Sequence, residues 1–313
     1  MKMNIAFCVN DAYVSYVTVV IKSILVNTNS PISFYLLCDK ISEKSRLLLT
    51  EAIEHNTMAN CEIILVCDKR IANLRIGKYH QCIWYRTLLP DYLPNNVDRV
   101  LYLDADTLVL GELESLFRMD LTGLAVAGGP DILNYSESTF IRLGCSNSGR
   151  YICSGVMLIN LKYWRDNNVS DKIIKFALDN SDMICYPDQD AINFVCAGII
   201  AFLPLKYAVM DCFLTKYKSA GWFSISELKD CLKEPRIVHF AGNAPWKIEY
   251  AHRLFHDDWQ KYNMMLKHPV KMKYETKVIP LLKMFLWNLL HRKQEPAVIT
   301  KEEVLNQLCF LNN

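Results

Sequence analysis

The sequence predicts an α/β fold: a mixed, mainly parallel sheet flanked by helices. Three observations carry this. Short apolar runs alternate with helically spaced stretches over the first two-thirds of the chain. Several of those runs end on an acidic residue, as the strands of such sheets do at their ligand-binding edge. The composition, 51% hydrophobic and 22% charged over 313 residues, is that of a chain with a sizeable buried core.

Taken in order, residues 4–9 form the first strand-like run, and 16–26 carry helical spacing. Residues 32–38 are apolar and stop at Asp39; 42–55 read as a helix opened by Ser42. Residues 62–66 are rich in branched side chains and are closed by Cys67-Asp68, and 99–103 form a buried strand ending on Asp104. Strands are expected at 124–129 and 155–161, with a polar loop at 134–150 between them. Residues 170–180 and 188–196 read as helices, 236–240 as a last strand, and 249–266 as helical. Residues 267–277 are basic and irregular and mark the boundary between a main domain, 1–266, and a small helical extension, 267–313. The extension holds a helical pattern at 278–291 and a capping box at Thr300-Lys301-Glu302-Glu303. The carboxyl ends of the strands would gather Asn10-Asp11, Asp39, Asp68 and Asp104.

Several function classes drop out on composition. Lys+Arg 35 against Asp+Glu 33 gives a net charge of +2, too little for a whole-protein grip on nucleic acid. No uninterrupted apolar run reaches the roughly 18–20 residues that span a bilayer. Met1-Lys2-Met3-Asn4 leads straight into a strand and lacks the pattern of a secretion signal, so a cytoplasmic protein is expected. The 12 cysteines sit singly in apolar segments (Cys8, Cys38, Cys67, Cys153, Cys196), with no C-x-x-C pair. They are expected to be reduced and buried, packing as small hydrophobes.

The strongest chemical signal is Arg99-Val100-Leu101-Tyr102-Leu103-Asp104-Ala105-Asp106. Two carboxylates two residues apart at a strand end can both turn toward one hard cation, Mg²⁺ or Mn²⁺, set against a diphosphate. By itself such a pair is also an ordinary acidic turn. A second segment, Val238-His239-Phe240-Ala241-Gly242-Asn243-Ala244-Pro245-Trp246-Lys247, offers His239 as a third ligand, Gly242 for close backbone approach and Lys247 for a phosphate. A lone histidine there is more often simply packed. The third, Tyr186-Pro187-Asp188-Gln189-Asp190, opens a helix and in isolation reads as a cap.

Together these segments resemble the family 8 retaining glycosyltransferases over roughly residues 3–265. Phe7-Cys8-Val9-Asn10-Asp11-Ala12-Tyr13, Trp84-Tyr85-Arg86 before Leu89-Pro90, and Ser154-Gly155-Val156-Met157-Leu158-Ile159-Asn160-Leu161-Lys162-Tyr163-Trp164 complete the match. The chain layout is similar to bacterial lipopolysaccharide and capsule galactosyl- and glucosyltransferases, with glycogenin more distant. The resemblance implies the nucleotide-diphospho-sugar transferase fold of GT-A type. It implies Mn²⁺ (or Mg²⁺) held by Asp104, Asp106 and His239 against the diphosphate of a UDP-sugar, with Ala105 beside the donor. Asn10, Asp11 and Tyr13 would lie by the uridine, and Arg86 by the donor phosphate or sugar. Asp131 and Asp188 would reach sugar hydroxyls, Gln189 would sit under the anomeric carbon, and Gly242 and Lys247 would border the phosphates.

The sequence departs from the family pattern in three places. Pro245-Trp246 comes one residue early, with Lys247 after the Trp instead of before the Pro; Cys153 stands where an Asn is usual; and Ala12 replaces a residue that is often polar. Function is expected to be retaining transfer of galactose or glucose from UDP-galactose or UDP-glucose to a saccharide or lipid-linked acceptor. An amide beneath the sugar is a poor nucleophile, which favours a front-face route over a covalent intermediate. The rival readings are a haloacid-dehalogenase-type phosphatase, a nucleotidyltransferase and a non-catalytic sugar- or membrane-binding protein. The first wants Thr or Val where Leu108 stands, and the second a glycine-rich loop that residues 10–15 lack. The third is opposed by the intact Asp104, Asp106 and His239.

Residues 267–293 hold seven Lys/Arg and one Glu, a local charge of +6 that leaves −4 for the rest of the chain. Val278, Leu281, Leu282, Phe285 and Leu289 fall at helical spacing within it, so the tail is a candidate for an anionic membrane surface, peripheral on the inner face of the plasma membrane. A helix packed on the catalytic domain is the simpler alternative.

Overall fold

The structure is a computed structural model, and it describes residues 1–132, 134, 136–144, 150–210, 223–251 and 253–274. The helices expected at 278–291 and from Thr300, and the greater part of the basic tail expected to meet a membrane surface, lie outside the described residues.

A seven-stranded sheet runs in the order β3-β2-β1-β4-β7-β6-β8. Its strands are β1 (Met3–Cys8), β2 (Ile32–Cys38), β3 (Ala59–Leu65), β4 (Arg99–Leu103), β6 (Val126–Pro130), β7 (Ile152–Asn160) and β8 (Ile200–Phe202). Only β7 is reversed: it pairs antiparallel with β4 and β6, and every other pair is parallel. All seven residues of β2 are buried and β1 is nearly so, as expected of strands covered on both faces. In β3 partly buried positions alternate with exposed ones, the pattern of an edge strand.

On one side of the sheet lie α1 (Val14–Asn27) and α2 (Glu43–Ile53), which pack in one core with the inward residues Ile5, Phe7, Phe34, Leu36, Leu101 and Leu103. The other face is covered by α6 (Leu161–Asp166), α7 (Val169–Asp179), α8 (Pro187–Val195) and the 3-10 segment Gln81–Leu88, with Trp84, Trp164 and Tyr102 wholly buried there. One-turn helices α3 (Leu89–Tyr92) and α4 (Glu114–Phe117), together with α5 (Glu137–Leu143), fill connections. The two cores meet the alternation of side chains along each strand, so Tyr102 and Leu103 serve opposite faces.

A smaller sheet, β5-β10-β9, is built from β5 (Thr107–Val109), β9 (Val209–Met210) and β10 (Ile237–His239). Two of its three strands were not anticipated, because runs of two and three residues carry too little periodicity to read. Between β9 and β10 the chain forms α9 (Ile225–Lys233), with a complete capping box at Ser224 and Glu227, and after β10 comes α10 (His256–Asn263).

Three expectations are corrected. The continuous helix at 249–266 is a 3-10 turn, Ile248–Tyr250, then α10 starting at His256, since Phe255 takes a left-handed backbone (φ 65°) that ends any run through it. Asp68 does not join the strand-end cluster: Arg70 binds it at 2.6 Å and also reaches Asp91 and Asp171. The described cysteines are all free, yet Cys67 and Cys185 are exposed and Cys153 is half-buried, because they lie beyond strand or helix ends or face the cleft. Residues 267–274 pack back on the domain, with Lys267 Nζ 2.8 Å from Glu51 and Lys273 N donating to Trp246 O.

Candidate active site

β4 ends at Leu103, and the chain turns at Asp104: Thr107 N and Oγ1 both donate to its carbonyl oxygen, at 3.2 and 2.8 Å. The turn feeds β5, which pairs antiparallel with β10 so that Thr107 faces His239 and Leu108 faces Val238. Phe240 N donates to Asp106 O at 2.9 Å and closes the pair. This register is what brings His239 to two carboxylates far away in sequence. One ligand atom from each of Asp104, Asp106 and His239 lies within 4.8 Å of the others. His239 Nε2 is 3.4 Å from Asp106 Oδ1 and 3.9 Å from Asp104 Oδ2.

Two hard oxygens and one imidazole nitrogen suit Mn²⁺ or Mg²⁺ with positions left for phosphate oxygens. The backbone beside them is also shaped for it. A Cβ on Gly155 would lie 2.2 Å from His239 Cε1, 2.7 Å from its Nε2 and 2.8 Å from Asp104 Oδ2. Only glycine leaves this space. Gly155 reaches it because the β6–β7 register jumps: Gly128 pairs with Met157, and Gly129 with Cys153. Residues 154–156 therefore have no partner on β6, a β-bulge that leaves Gly155 beside the cluster. Gly155 O accepts from Asp104 N at 2.9 Å.

Arg86 lies behind the carboxylates, 5% exposed, in the 3-10 segment. Its Nη2 donates to Asp104 Oδ1 at 2.9 Å, and its Nη1 donates to Ser154 O and Oγ at 2.8 and 2.9 Å. Nη1 also stands 3.2 Å from Asp188 Oδ2, an ion pair out of line for a hydrogen bond. Burial works against the guanidinium's charge, but Asp104 and Asp188 outweigh it and hold Arg86 protonated well above the ordinary range. Tyr102 donates to Asp104 Oδ1 at 2.5 Å. For Asp188 burial raises the pKa and Arg86 only partly offsets this. For His239 burial opposes protonation; Cys153, whose Sγ is 3.7 Å from Nδ1, and Asp106 outweigh it, so the imidazole pKa sits well above its usual value.

The triplet Asp188-Gln189-Asp190 occupies the first turn of α8, after Pro187 at its start. None of the three is the N-cap, and Tyr186 in that position makes no side-chain cap bond. Gln189 Oε1 accepts from Ser154 N at 3.0 Å, and its Nε2 donates to Asp131 Oδ2 at 2.9 Å. Asp131 follows β6 and also accepts from Asn134 Nδ2 at 2.7 Å.

Asn10 follows β1, and its Oδ1 is buried with no hydrogen-bond partner among the described residues. Asp11 accepts from Ser42 N and Oγ at 2.9 and 3.1 Å, so it ties this loop to the start of α2. Tyr13, 44% exposed, stands edge-on to Trp246, which in turn stacks on Tyr16 with ring centroids 3.7 Å apart. Burial raises the Tyr13 phenol pKa, with Asp106 adding to this and Lys247 opposing it. Gly242 takes φ +77°, in the loop after β10 that ends with Lys247, whose Nζ lies 5.8 Å from the Tyr250 ring. Ala105 is buried between the two aspartates. These contacts link Asp104, Asp106, His239, Arg86, Asp188, Gln189 and Asp131 into one connected set through Ser154, while Asp11 is drawn to the start of α2.

The family model described as glycosyl transferase family 8 matches residues 4–249. The chain belongs to glycosyl transferase family 8. Among relatives of this family 8 enzyme, the lipopolysaccharide 1,2-glucosyltransferase of Escherichia coli K12 is 26% identical over 247 residues, covering 78% of this chain and 72% of that protein. Glycosyltransferase GlyB of Streptococcus pneumoniae is 28% identical over 270 residues, covering 84% of this chain and 62% of that one. The solved structure of the galactosyltransferase LgtC, in complex with donor and acceptor sugar analogues, superposes with a TM-score of 0.73 at 24% identity, over 85% of this chain and 96% of LgtC. That likeness establishes the GT-A-type fold for this glycosyltransferase.

Sequence reasoning passed over Tyr102, Tyr151 and Arg142, which support Asp104, Gln189 and Asp190 respectively. Tyr102 and Tyr151 sit in or beside apolar strands, and nothing local separates them from core residues. Tyr79, 43% exposed, was also missed; burial raises its phenol pKa, and Asp188, Asp104 and Asp106 add to the rise. Among the described residues no helix is long and apolar enough to cross a membrane.

Proposed function

We propose that this family 8 glycosyltransferase moves a hexose, galactose or glucose, from a UDP-sugar to a saccharide or glycolipid acceptor with retention of configuration, using Mn²⁺ or Mg²⁺. The observation that carries this reading is the convergence of Asp104, Asp106 and His239 within 4.8 Å of one another. Relatives named for lipopolysaccharide glucosyl transfer support a role in cell-surface glycan synthesis, on the cytoplasmic side where nucleotide sugars are made. An anionic membrane surface, met by the basic tail, is the proposed second partner.

Asp104, Asp106 and His239 would hold the cation, which supplies Lewis-acid neutralisation of the departing diphosphate. Lys247 supplies a further cationic group at the edge of the same cleft. Asn10 offers its orphaned Oδ1 to the uracil edge, and Tyr13, propped on Trp246, offers a ring face. Asp131 and Asp188 accept from sugar hydroxyls. Arg86 holds Asp104 and Asp188 in place. Gln189 stabilises the sugar as it becomes oxocarbenium-like. In the front-face route the anomeric C–O bond to phosphate breaks, the acceptor oxygen bonds the same face, and its proton passes to the released diphosphate.

The test is hydrolysis of a panel of UDP-sugars with Mn²⁺ and no acceptor. UDP-galactose or UDP-glucose should be cleaved in preference to other UDP-sugars, and cleavage of none by the Mn²⁺-loaded protein would overturn the reading.

A further inference from the structure

Gln189 has no freedom to choose its orientation. Its Oε1 accepts from Ser154 N at 3.0 Å, and its Nε2 donates to Asp131 Oδ2 at 2.9 Å and to Tyr151 Oη at 3.2 Å. Turned over, the amide would face the Ser154 N–H with another donor and the Asp131 carboxylate with another acceptor. Both amide hydrogens are therefore taken by the protein, and the carbonyl oxygen keeps one lone pair.

The tyrosine in this arrangement is itself held from behind. Tyr151 is 1% exposed, and its phenol donates to Asp190 Oδ1 at 2.6 Å. It must then meet Gln189 Nε2 with a lone pair, which matches the donor it faces. Burial first, and the Asp190 carboxylate second, keep the phenol protonated far above its ordinary range. Asp190 has no exposed surface and is saturated: Oδ2 accepts from Arg142 Nη1 at 2.9 Å, Cys185 N at 2.7 Å and Tyr186 N at 2.9 Å, and Oδ1 accepts from Arg142 Nη2 at 3.2 Å. Arg142 belongs to α5 and also donates to Met183 O. A chain of hydrogen bonds thus runs from α5, through the ion pair at the start of α8, to the amide at the cleft. A buried carboxylate that only capped a helix would not need a phenol and a bidentate arginine as well.

We infer that Tyr151 and Asp190 are positioning residues for Gln189, and that Arg142 fixes Asp190 in the rotamer this requires. The inference rests on the reading that Gln189 lies under the donor sugar. Among the described residues the Tyr151 hydroxyl bonds Gln189 and Asp190, and its effect on the reaction passes through the amide.

A double-mutant cycle tests this, on the full chain with Mn²⁺ and UDP-galactose or UDP-glucose, whichever the wild type turns over. Tyr151→Phe should lower kcat about tenfold with the donor KM unchanged, since a misdirected group costs chiefly in the transition state. In a Gln189→Ala background, Tyr151→Phe should add nothing. Arg142→Gln, at a partly exposed position, is the second variant should Tyr151→Phe not fold. It should also lower kcat, and its effect should likewise vanish beside Gln189→Ala. If Gln189→Ala is impaired but both single variants turn over like the wild type, the positioning role is overturned. If either keeps its full effect beside Gln189→Ala, that residue acts elsewhere and the inference fails. If Gln189→Ala itself is as active as the wild type, the placement of Gln189 under the sugar fails first.

Discussion

Gly155 and His239 are fitted to one another: a single methyl group on Gly155 would overlap the imidazole, 2.2 Å from Cε1. The bulge in β7 delivers the glycine and the β5–β10 pairing delivers the histidine. A residue with no side chain is thereby the wall of the candidate cation site. Gly155→Ala should push His239 out of line while leaving the sheet intact. Mn²⁺ affinity, followed by titration calorimetry, should fall by about 10- to 100-fold, as for other changes that disturb a ligand's support. Unaltered affinity would show that His239 does not take part.

Asp104→Asn and Asp106→Asn should each abolish measurable transfer, because both remove charge at the point where the diphosphate leaves. In the cation-free protein Asp106→Asn should lower the melting temperature modestly while the fold persists, since it removes the charge paired with His239. Turnover equal to wild type in either variant, at saturating Mn²⁺, would count against the metal assignment.

Cation binding should carry a pH signature. In the cation-free protein the His239 imidazole is protonated above its usual range, since Cys153 and Asp106 outweigh burial. A cation can take Nε2 only after that proton leaves, so apparent Mn²⁺ affinity should rise with pH, by up to about tenfold per unit below the raised pKa. The stability of the cation-free protein should move the other way. The contribution from protonated His239 is complete below the unfolded value of about 6.5 and is lost as pH rises through the folded one. Melting curves with and without Mn²⁺ across a pH series measure both trends.

Gln189→Ala should leave weak transfer with retained configuration, because the amide steadies the sugar and does not bond to it covalently. NMR of the product gives the anomeric outcome. Mass spectrometry of the quenched enzyme checks the rest: a sugar trapped on Gln189, Asp188 or Asp190 would reject the front-face route.

Trp246 joins two tasks. It stacks on Tyr16 at 3.7 Å, lies 6.5 Å from Trp259, and supports Tyr13 at the cleft. Trp246→Ala should cost about 3–5 kcal/mol in unfolding free energy, as for other large aromatic truncations. UDP affinity should weaken as well, measured below the variant's melting range.

The sequence by itself determined the alternation of strands and helices, a mainly parallel sheet covered on both faces, and the identity of the carboxylates and histidine. Those properties are local: an unbroken apolar run announces a strand buried on both faces, and a D-x-D at its end announces oxygen ligands. The short strands β5 and β9 and the reversal of β7 were decided only by tertiary structure, since strand partners are chosen by packing across distant segments. So was the separation of Asp68, taken by Arg70, from Asp104, held by Arg86: both follow strands and look alike in sequence. The hydrogen-bond chain from Arg142 through Asp190 and Tyr151 to Gln189 had no local mark either. Its members are gathered from α5, β7's approach and α8, and only burial, which leaves each polar group needing a partner, joins them.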